Sequence, residues 1–318
     1  MTAQAPLRLG TRKSQMAMTQ SRLVARLITE RTGRAVELTG VTTFGDVSRA
    51  QVAQIGGTGV FVSGLRTGLL AGDIDLAVHS LKDLPTAQPD GVELVAIPVR
   101  DDPRDALAAR DGAKLADLPP GARIGTGSPR RAAQLLLMRP DLRPVPVRGN
   151  ADTRLGRVDS GEVDAVVLAY AGLARIGRLD AVSQIFDPEE MLPAPGQGAL
   201  AVECRSGDPD LAALLACVDD PASRAAVTAE RTLLAALEAG CSAPVGGYAA
   251  GTDGLRLQAI VVAADGESAL RASAGGPAAE ADRLGREVAA ELLLRGAGRY
   301  TAVSAEMAGH ISNGDDAQ

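Results

Sequence analysis

Two stretches of this chain occur twice. Arg8-Leu9-Gly10-Thr11 returns as Arg123-Ile124-Gly125-Thr126, and Gly72-Asp73-Ile74-Asp75-Leu76-Ala77-Val78 returns as Gly161-Glu162-Val163-Asp164-Ala165-Val166-Val167. The two echoes keep their order, although the spacing between them differs. Short apolar runs alternate with helical patterns in the first part, which predicts a mostly parallel sheet. Leu7–Leu9 reads as a strand, and Ser14 caps a helix from about Gln15 to Arg31. Val36–Thr43 is a second strand. A Gly-rich loop, Gly56–Gly59, leads into a helix near Val60–Ala71, and Ile74–Val78 is a buried strand. One echo alone is better explained by chance similarity of short α/β segments. Two echoes in order predict two similar α/β lobes with a ligand cleft between them.

Pro193-Ala194-Pro195-Gly196-Gln197-Gly198 punctuates the second lobe and reads as a hinge, followed by a strand at Ala199–Glu203. After Asp219-Asp220-Pro221 the pattern changes. A helix from about Ala222 to Glu238 ends at Gly240, a C-cap signal. Three strand-like runs follow, Val245–Ala250, Leu255–Ala263 and Ala269–Ser273, and then a helix over about Ala278–Arg295. This is the pattern of a smaller α+β domain. The expected layout has a first lobe at 1–98 and 199–217 and a second lobe, with the hinge, at 99–198. A C-terminal α+β domain occupies 218–311, and 312–318 form a disordered tail.

Net charge is -6 over 318 residues, which disfavours a nucleic-acid partner. No apolar run approaches the roughly 20 residues needed to span a bilayer. The N-terminus has no basic-then-apolar signal region. Cys204, Cys217 and Cys241 have no CxxC spacing and cannot all pair, which suits a reducing cytosol. Metal-ligand spacing is absent. The Gly56–Gly59 loop lacks P-loop chemistry, and no GxGxxG follows a strand, which disfavours ATP and NAD.

Against the acidic total stands a recurring turn. Gly10-Thr11-Arg12-Lys13-Ser14, Gly125-Thr126-Gly127-Ser128-Pro129-Arg130-Arg131 and Arg148-Gly149-Asn150-Ala151-Asp152-Thr153-Arg154 each follow an apolar run. Ligands of open α/β sheets sit at such strand-to-helix turns. Helix-start N–H groups and arginine forks bind anions. A single arginine is usually a solvated or surface-paired side chain; as a group, Arg12, Arg130, Arg131, Arg148 and Arg154 point to a ligand with several carboxylates or phosphates. Asp83, beside Ser80 and Lys82 after a buried strand, can serve as acid, base or counter-ion, or as a helix-capping aspartate before Pro85. Cys241, on a loop of small residues past a helix end, is either an accessible thiol or a small packing residue. Cys204 and Cys217 read as inert core thiols. His79 is the one histidine placed to join a catalytic pair, and it reads as a packed strand-end side chain. His310 carries no signal.

These residues, taken in order, resemble the porphobilinogen deaminase (hydroxymethylbilane synthase) family over nearly the whole chain. The matching stretches include Gly10-Thr11-Arg12 with Ser14, Gly45-Asp46, Ala77 through Thr86, Asp102-Pro103-Arg104-Asp105, Ser128-Pro129-Arg130-Arg131 and Arg148-Gly149-Asn150 with Thr153-Arg154-Leu155. They continue through Leu192 to Ala199, Glu203-Cys204-Arg205, Ala229-Glu230-Arg231, and Gly240-Cys241 with Pro244-Val245-Gly246. The resemblance implies two lobes like those of periplasmic binding proteins and a third domain carrying a cofactor cysteine. It implies a cytoplasmic, monomeric transferase that joins four porphobilinogen molecules head to tail with loss of ammonia, then releases hydroxymethylbilane by hydrolysis. The family's dipyrromethane cofactor would be thioether-linked to Cys241, with Asp83 the catalytic carboxylate. Arg12, Ser14, Ser80, Lys82, Thr126, Ser128, Arg130, Arg131, Arg148, Asn150 and Arg154 match cofactor- and substrate-binding positions, and Gln197 a polar hinge-side position. Departures are Gln54 and Thr58 where many members have lysine, Gly127-Ser128-Pro129 in place of a commoner Ser-Ser-Leu, and Ala239 where glycine is usual. The rival reading is a non-catalytic two-lobed protein that binds a small polycarboxylate. It accounts for the lobes and arginines but not for Cys241 or the third domain.

Overall fold

The computed structural model describes residues 5–41, 62–240 and 243–300. Gly45-Asp46, Gln54, the Gly56–Gly59 loop with Thr58, Cys241, His310 and the 312–318 tail lie outside the described residues. The chain divides into two compact units, Met1–Asp101 with Gly198–Arg224, and Asp102–Gln197 with Ala225–Gln318.

In chain order the first unit supplies β1 (Leu7–Thr11), α1 (Gln15–Thr32), β2 (Val36–Gly40), α2 (Ser63–Ala71), β3 (Leu76–Ser80) and β4 (Val92–Ala96). The second supplies β5 (Asp105–Ala109), β6 (Arg123–Gly125), α3 (Pro129–Met138), β7 (Arg143–Val145), α4 (Ala151–Asp159), β8 (Ala165–Ala169), α5 (Tyr170–Arg175) and β9 (Gln184–Ile185). The chain then returns to the first unit with β10 (Leu200–Arg205) and α6 (Pro209–Leu215). After α7 (Pro221–Ala236) come β11 (Val245–Ala250), β12 (Leu255–Val262), β13 (Ala269–Gly276) and α8 (Ala281–Leu294).

The two five-stranded sheets share one plan. Their orders are β2-β1-β3-β10-β4 and β7-β6-β8-β5-β9. The first three strands of each are parallel, and the fourth, β10 or β5, runs against them. The expected α/β class is present, with one reversed strand per lobe. That reversal has a positional consequence. A reversed strand starts where its parallel neighbours end, so Asp105 pairs with Ala169 at the end of β8, and Leu200 with Ser80 at the end of β3. The repeated Arg-x-Gly also has a steric basis. A Cβ on Gly10 would lie 2.2 Å from Ile74 Cδ1, and one on Gly125 would lie 2.9 Å from Val166 Cγ1.

Each sheet buries its own core. In the first, Val24, Ala25 and Ile28 of α1 recur at helical spacing against Leu7, Leu9, Leu76 and Val202. In the second, Leu107, Ile124, Leu135 and Val167 pack with Phe186 and Met191. The C-terminal sheet is antiparallel in the order β11-β12-β13. Leu284, Val288, Ala289 and Leu292, one face of α8, lie with Leu257 and Val261 of β12 and Leu233 of α7 in one core. No described helix is long and apolar enough to cross a membrane.

Candidate functional site

In the first unit, β1 and β3 are parallel neighbours, so their C-terminal ends lie side by side. β1 runs into half-buried Arg12 and then Ser14, whose Oγ accepts the Ala17 N–H at 3.3 Å and caps α1. β3 runs into a single 3-10 turn, Leu81–Asp83, with Leu84 as its C-cap. Asp83 is exposed on that turn and Lys82 is half-buried. The capping alternative for Asp83 therefore does not describe this corner. Two bonds fix the turn. The Gln20 side chain donates to Ser80 Oγ at 2.8 Å, and the Leu81 N–H donates to Ala199 O at 3.0 Å.

Beneath this corner lies a buried charged group that the sequence did not disclose. Glu203 accepts both Nε and Nη2 of Arg66, at 3.1 and 2.7 Å, and His79 Nε2 lies 3.2 Å from its Oε2. Burial alone would raise the Glu203 pKa; His79 and Arg66 outweigh it and hold the carboxyl down to about 2. The nearby thiol of Cys204 is fully buried, and its pKa is pushed up to about 11, chiefly by burial. Cys217 is half-buried, and burial raises it too. Neither is poised as a nucleophile.

In the second unit the ends of β6 and β7 are adjacent. Thr126 is buried, and its Oγ1 accepts the Ser128 N–H at 3.2 Å. Ser128 precedes α3 and makes no side-chain cap. Arg130 and Arg131, in the first turn of α3, are both buried on Asp105. Burial would raise the Asp105 pKa, but the two arginines hold it well below the carboxylate range. Gln197 is buried in the same group; its Nε2 donates to Pro103 O at 2.7 Å and to Asp105 Oδ1 at 2.9 Å. β7 leads to exposed Arg148 and to Asn150, whose Oδ1 caps α4 by accepting the Thr153 N–H at 2.8 Å and the Thr153 hydroxyl at 2.9 Å. Arg154, one turn further, donates from Nε to Gly149 O at 2.9 Å. Burial, and then the charge of Arg131, lower its pKa.

The expected residues thus form two sets, each at the strand ends of its own sheet. Arg12, Ser14, Ser80, Lys82 and Asp83 belong to the first unit; Thr126, Ser128, Arg130, Arg131, Arg148, Asn150, Arg154 and Gln197 belong to the second. Ser14 and Asn150 have capping work, and Arg130 and Arg131 share a carboxylate. Sequence reasoning assigned no role to Asp105, Gln20, Glu203 or Arg66. Asp105 and Glu203 look like surface residues in sequence; their place inside a strand was the available signal.

A ligand with several carboxylates suits the second set. Among the described residues, no carboxylate lies within ion-pair distance of Arg148 or Arg154. Burial, and then the charge of Arg131, disfavour the charged form of Arg154, and a bound anion opposes both. Arg130 Nε is buried with no hydrogen-bond partner. A cleft of about 740 Å³ at the opposite end of the first sheet, lined by Arg8, Arg34, Asp75 and Asp208, is remote from these strand ends and mixes both charges.

Comparison with known proteins shows the family of the chain. Residues 7–213 match the family model described as porphobilinogen deaminase, dipyromethane cofactor binding domain, and residues 224–294 match porphobilinogen deaminase, C-terminal domain. The porphobilinogen deaminase of Thermobifida fusca is 60% identical over 310 residues, covering 94% of this chain and 97% of that one. Porphobilinogen deaminase 1 of Streptomyces coelicolor is 56% identical over 305 residues, covering 92% and 96%. Among solved structures, a periplasmic substrate-binding protein of Coxiella burnetii is 15% identical with a TM-score of 0.43, covering 69% of this chain and 94% of that one.

Proposed function

The chain belongs to the porphobilinogen deaminase family of tetrapyrrole-assembling enzymes, and on that premise we propose that it joins four porphobilinogen molecules head to tail and releases hydroxymethylbilane by hydrolysis. Cys241 holds the dipyrromethane cofactor through a thioether, a bond that resists hydrolysis. Bound there, the dipyrromethane supplies the free pyrrole end from which the chain is extended.

The cations of the second unit hold carboxylates. Arg148 and Arg154 are the primary grips, because among the described residues no acid of the protein competes for them. That observation carries the reading. Each porphobilinogen brings an acetate and a propionate, so cations without an internal acid suit a chain that gains two carboxylates per addition. A charge-assisted hydrogen bond is worth roughly 1.5–3 kcal/mol. Arg12 and Lys82 supply further positive charge beside Asp83.

Asp83 carries the chemistry. In each addition a carbon–carbon bond forms and a carbon–nitrogen bond breaks, with ammonia leaving. Positive charge develops on the pyrrole as the amine departs. A carboxylate on an exposed, tightly fixed turn can face that charge and move a pyrrole proton. Gln20, through Ser80, and Ala199, through Leu81, keep the turn in place.

Intact mass and turnover together test this function. The purified chain is expected to carry an added dipyrromethane and to consume porphobilinogen. Cys241→Ser should lose both. Asp83→Asn should fold and lose turnover by at least ~100-fold, since proton transfer and charge stabilisation both need the carboxylate. An unmodified, inert wild-type protein, or near-normal turnover in Asp83→Asn, would contradict the assignment.

A further inference from the structure

We propose that Asp105 is a positioning residue of the anion site, which pins two adjacent arginines so that one defined edge of Arg130 is left for a carboxylate. The inference rests on the reading that these strand ends receive carboxylates.

Asp105 is fully buried at the start of the reversed strand β5. Its two oxygens have different partners. Oδ2 accepts Arg130 Nη1 at 2.7 Å. Oδ1 accepts Arg131 Nε at 2.9 Å, Arg131 Nη2 at 2.7 Å and Gln197 Nε2 at 2.9 Å. The neighbouring guanidiniums are consequently held in different ways. Arg131 gives its Nε–Nη2 edge to Asp105 and its Nη1 to Val167 O at 3.1 Å. Its fork is spent inside the protein, and what it offers outward is mainly charge. Arg130 is held by Nη1 alone, which also donates to Leu192 O at 2.7 Å.

The consequence lies on the other edge of Arg130. Its Nε is buried and has no hydrogen-bond partner. Nε and Nη2 form the long edge of a guanidinium, the edge that grips a carboxylate with two parallel hydrogen bonds. A buried donor left unbonded costs about 1–3 kcal/mol, and an arriving carboxylate oxygen recovers that cost. Gln197 keeps the arrangement from rotating, because its amide joins Pro103 O to Asp105 and its Oε1 accepts Arg131 Nη2 at 3.4 Å.

Charge and positioning predict opposite signs, which makes the proposal testable. If Asp105 acted only through its charge, Asp105→Asn would make the site more positive and bind anions more tightly. If it positions the arginines, Asp105→Asn binds them more weakly despite the added positive charge. The full-length protein is purified as wild type, Asp105→Asn, Asp105→Glu and Leu107→Ala, the last a cavity in the core of the same strand. Cofactor loading is read by intact mass, KM and kcat with porphobilinogen, and Tm by calorimetry. Asp105→Asn is expected to raise KM or cut loading about tenfold, the worth of one charge-assisted bond. Asp105→Glu keeps the charge but displaces it by a methylene and should behave likewise. Leu107→Ala should lower Tm without moving KM. Loading and KM at or better than wild type in a folded Asp105→Asn would overturn the proposal; if that variant does not fold, wild-type values in Asp105→Glu would do so. A wild type without cofactor or turnover would instead sink the functional reading, and citrate affinity by calorimetry would then make the same comparison.

Discussion

A buried carboxylate is tolerated only through its partners, and Glu203 depends on two of them. Its ordinary value is 4.5 and its folded value about 2, because His79 and Arg66 overcome the cost of burial. A depressed folded pKa contributes stability above the unfolded value, and that stability is lost as pH falls through the folded one. Glu203 therefore contributes on the order of 3 kcal/mol above pH 4.5, a contribution that disappears by about pH 2. In urea titrations Glu203→Gln should lie below wild type at pH 7, where it leaves Arg66 without its counter-charge. The two curves should converge as pH falls from 4.5 to 2. A gap independent of pH would show that Glu203 acts through shape rather than charge. At this scale the sequence was uneven. Asp83 stands out because it lies just past a buried strand, beside Ser80 and Lys82. Asp105 and Glu203 do not, because nothing in a one-dimensional pattern says that Arg130, Arg131 or Arg66 will reach them from another element.

The start of α1 was legible in the sequence and the end of α7 was not. Ser14 caps α1, as its place before the periodic run indicates, and Asn150 caps α4. Gly240 reads as the C-cap of α7, but the helix stops at Ala236 and the left-handed residue is Glu238, at φ 50. Backbone bonds explain the earlier stop. Glu238 N–H donates to Ala235 O and Ala239 N–H reaches back to Leu234 O, which closes the helix before the glycine. The third strand shows a similar displacement. The apolar run Ile74–Val78 predicts it, yet pairing begins at Leu76. Ile74 is buried but its N–H donates to Gly68 O, so apolarity there reports burial and not strand pairing. A glutamate in the left-handed region carries steric strain that glycine lacks. Glu238 is exposed, so Glu238→Gly should raise stability by about 0.5–1 kcal/mol after the glycine's unfolded-state entropy is subtracted. A urea midpoint at or below wild type would show that the Glu238 side chain makes a contact worth more than the strain.

The repeat that opens the sequence is, in the whole molecule, one clamp used twice. Arg8 N–H donates to Asp75 Oδ2 at 2.8 Å and Asp75 N–H to Arg8 O at 2.8 Å, with the guanidinium closing on the same carboxylate at 2.7 Å. Arg123 and Asp164 repeat this, with the backbone bonds at 2.7 and 2.9 Å and the guanidinium at 3.3 Å. Each clamp joins the first parallel strand of its sheet to the turn before the third, at the end away from the candidate site. The two-lobe plan was visible because this device needs particular residues at particular places. The reversed strands were not visible, because an antiparallel neighbour in a buried sheet has the same apolar composition as a parallel one. The clamps also separate local from global stability. Each lies within its own unit and next to its own core, so Asp75→Asn should speed hydrogen exchange in β1 and β3 while β6 and β8 stay as in wild type. Asp164→Asn should do the reverse. Each substitution removes a charged acceptor from a backbone N–H and a guanidinium, a loss of about 1–3 kcal/mol. Neither residue is among the strand-end groups that hold carboxylates, so turnover should persist in both variants. Faster exchange throughout both sheets from either substitution would mean that the two units open as one.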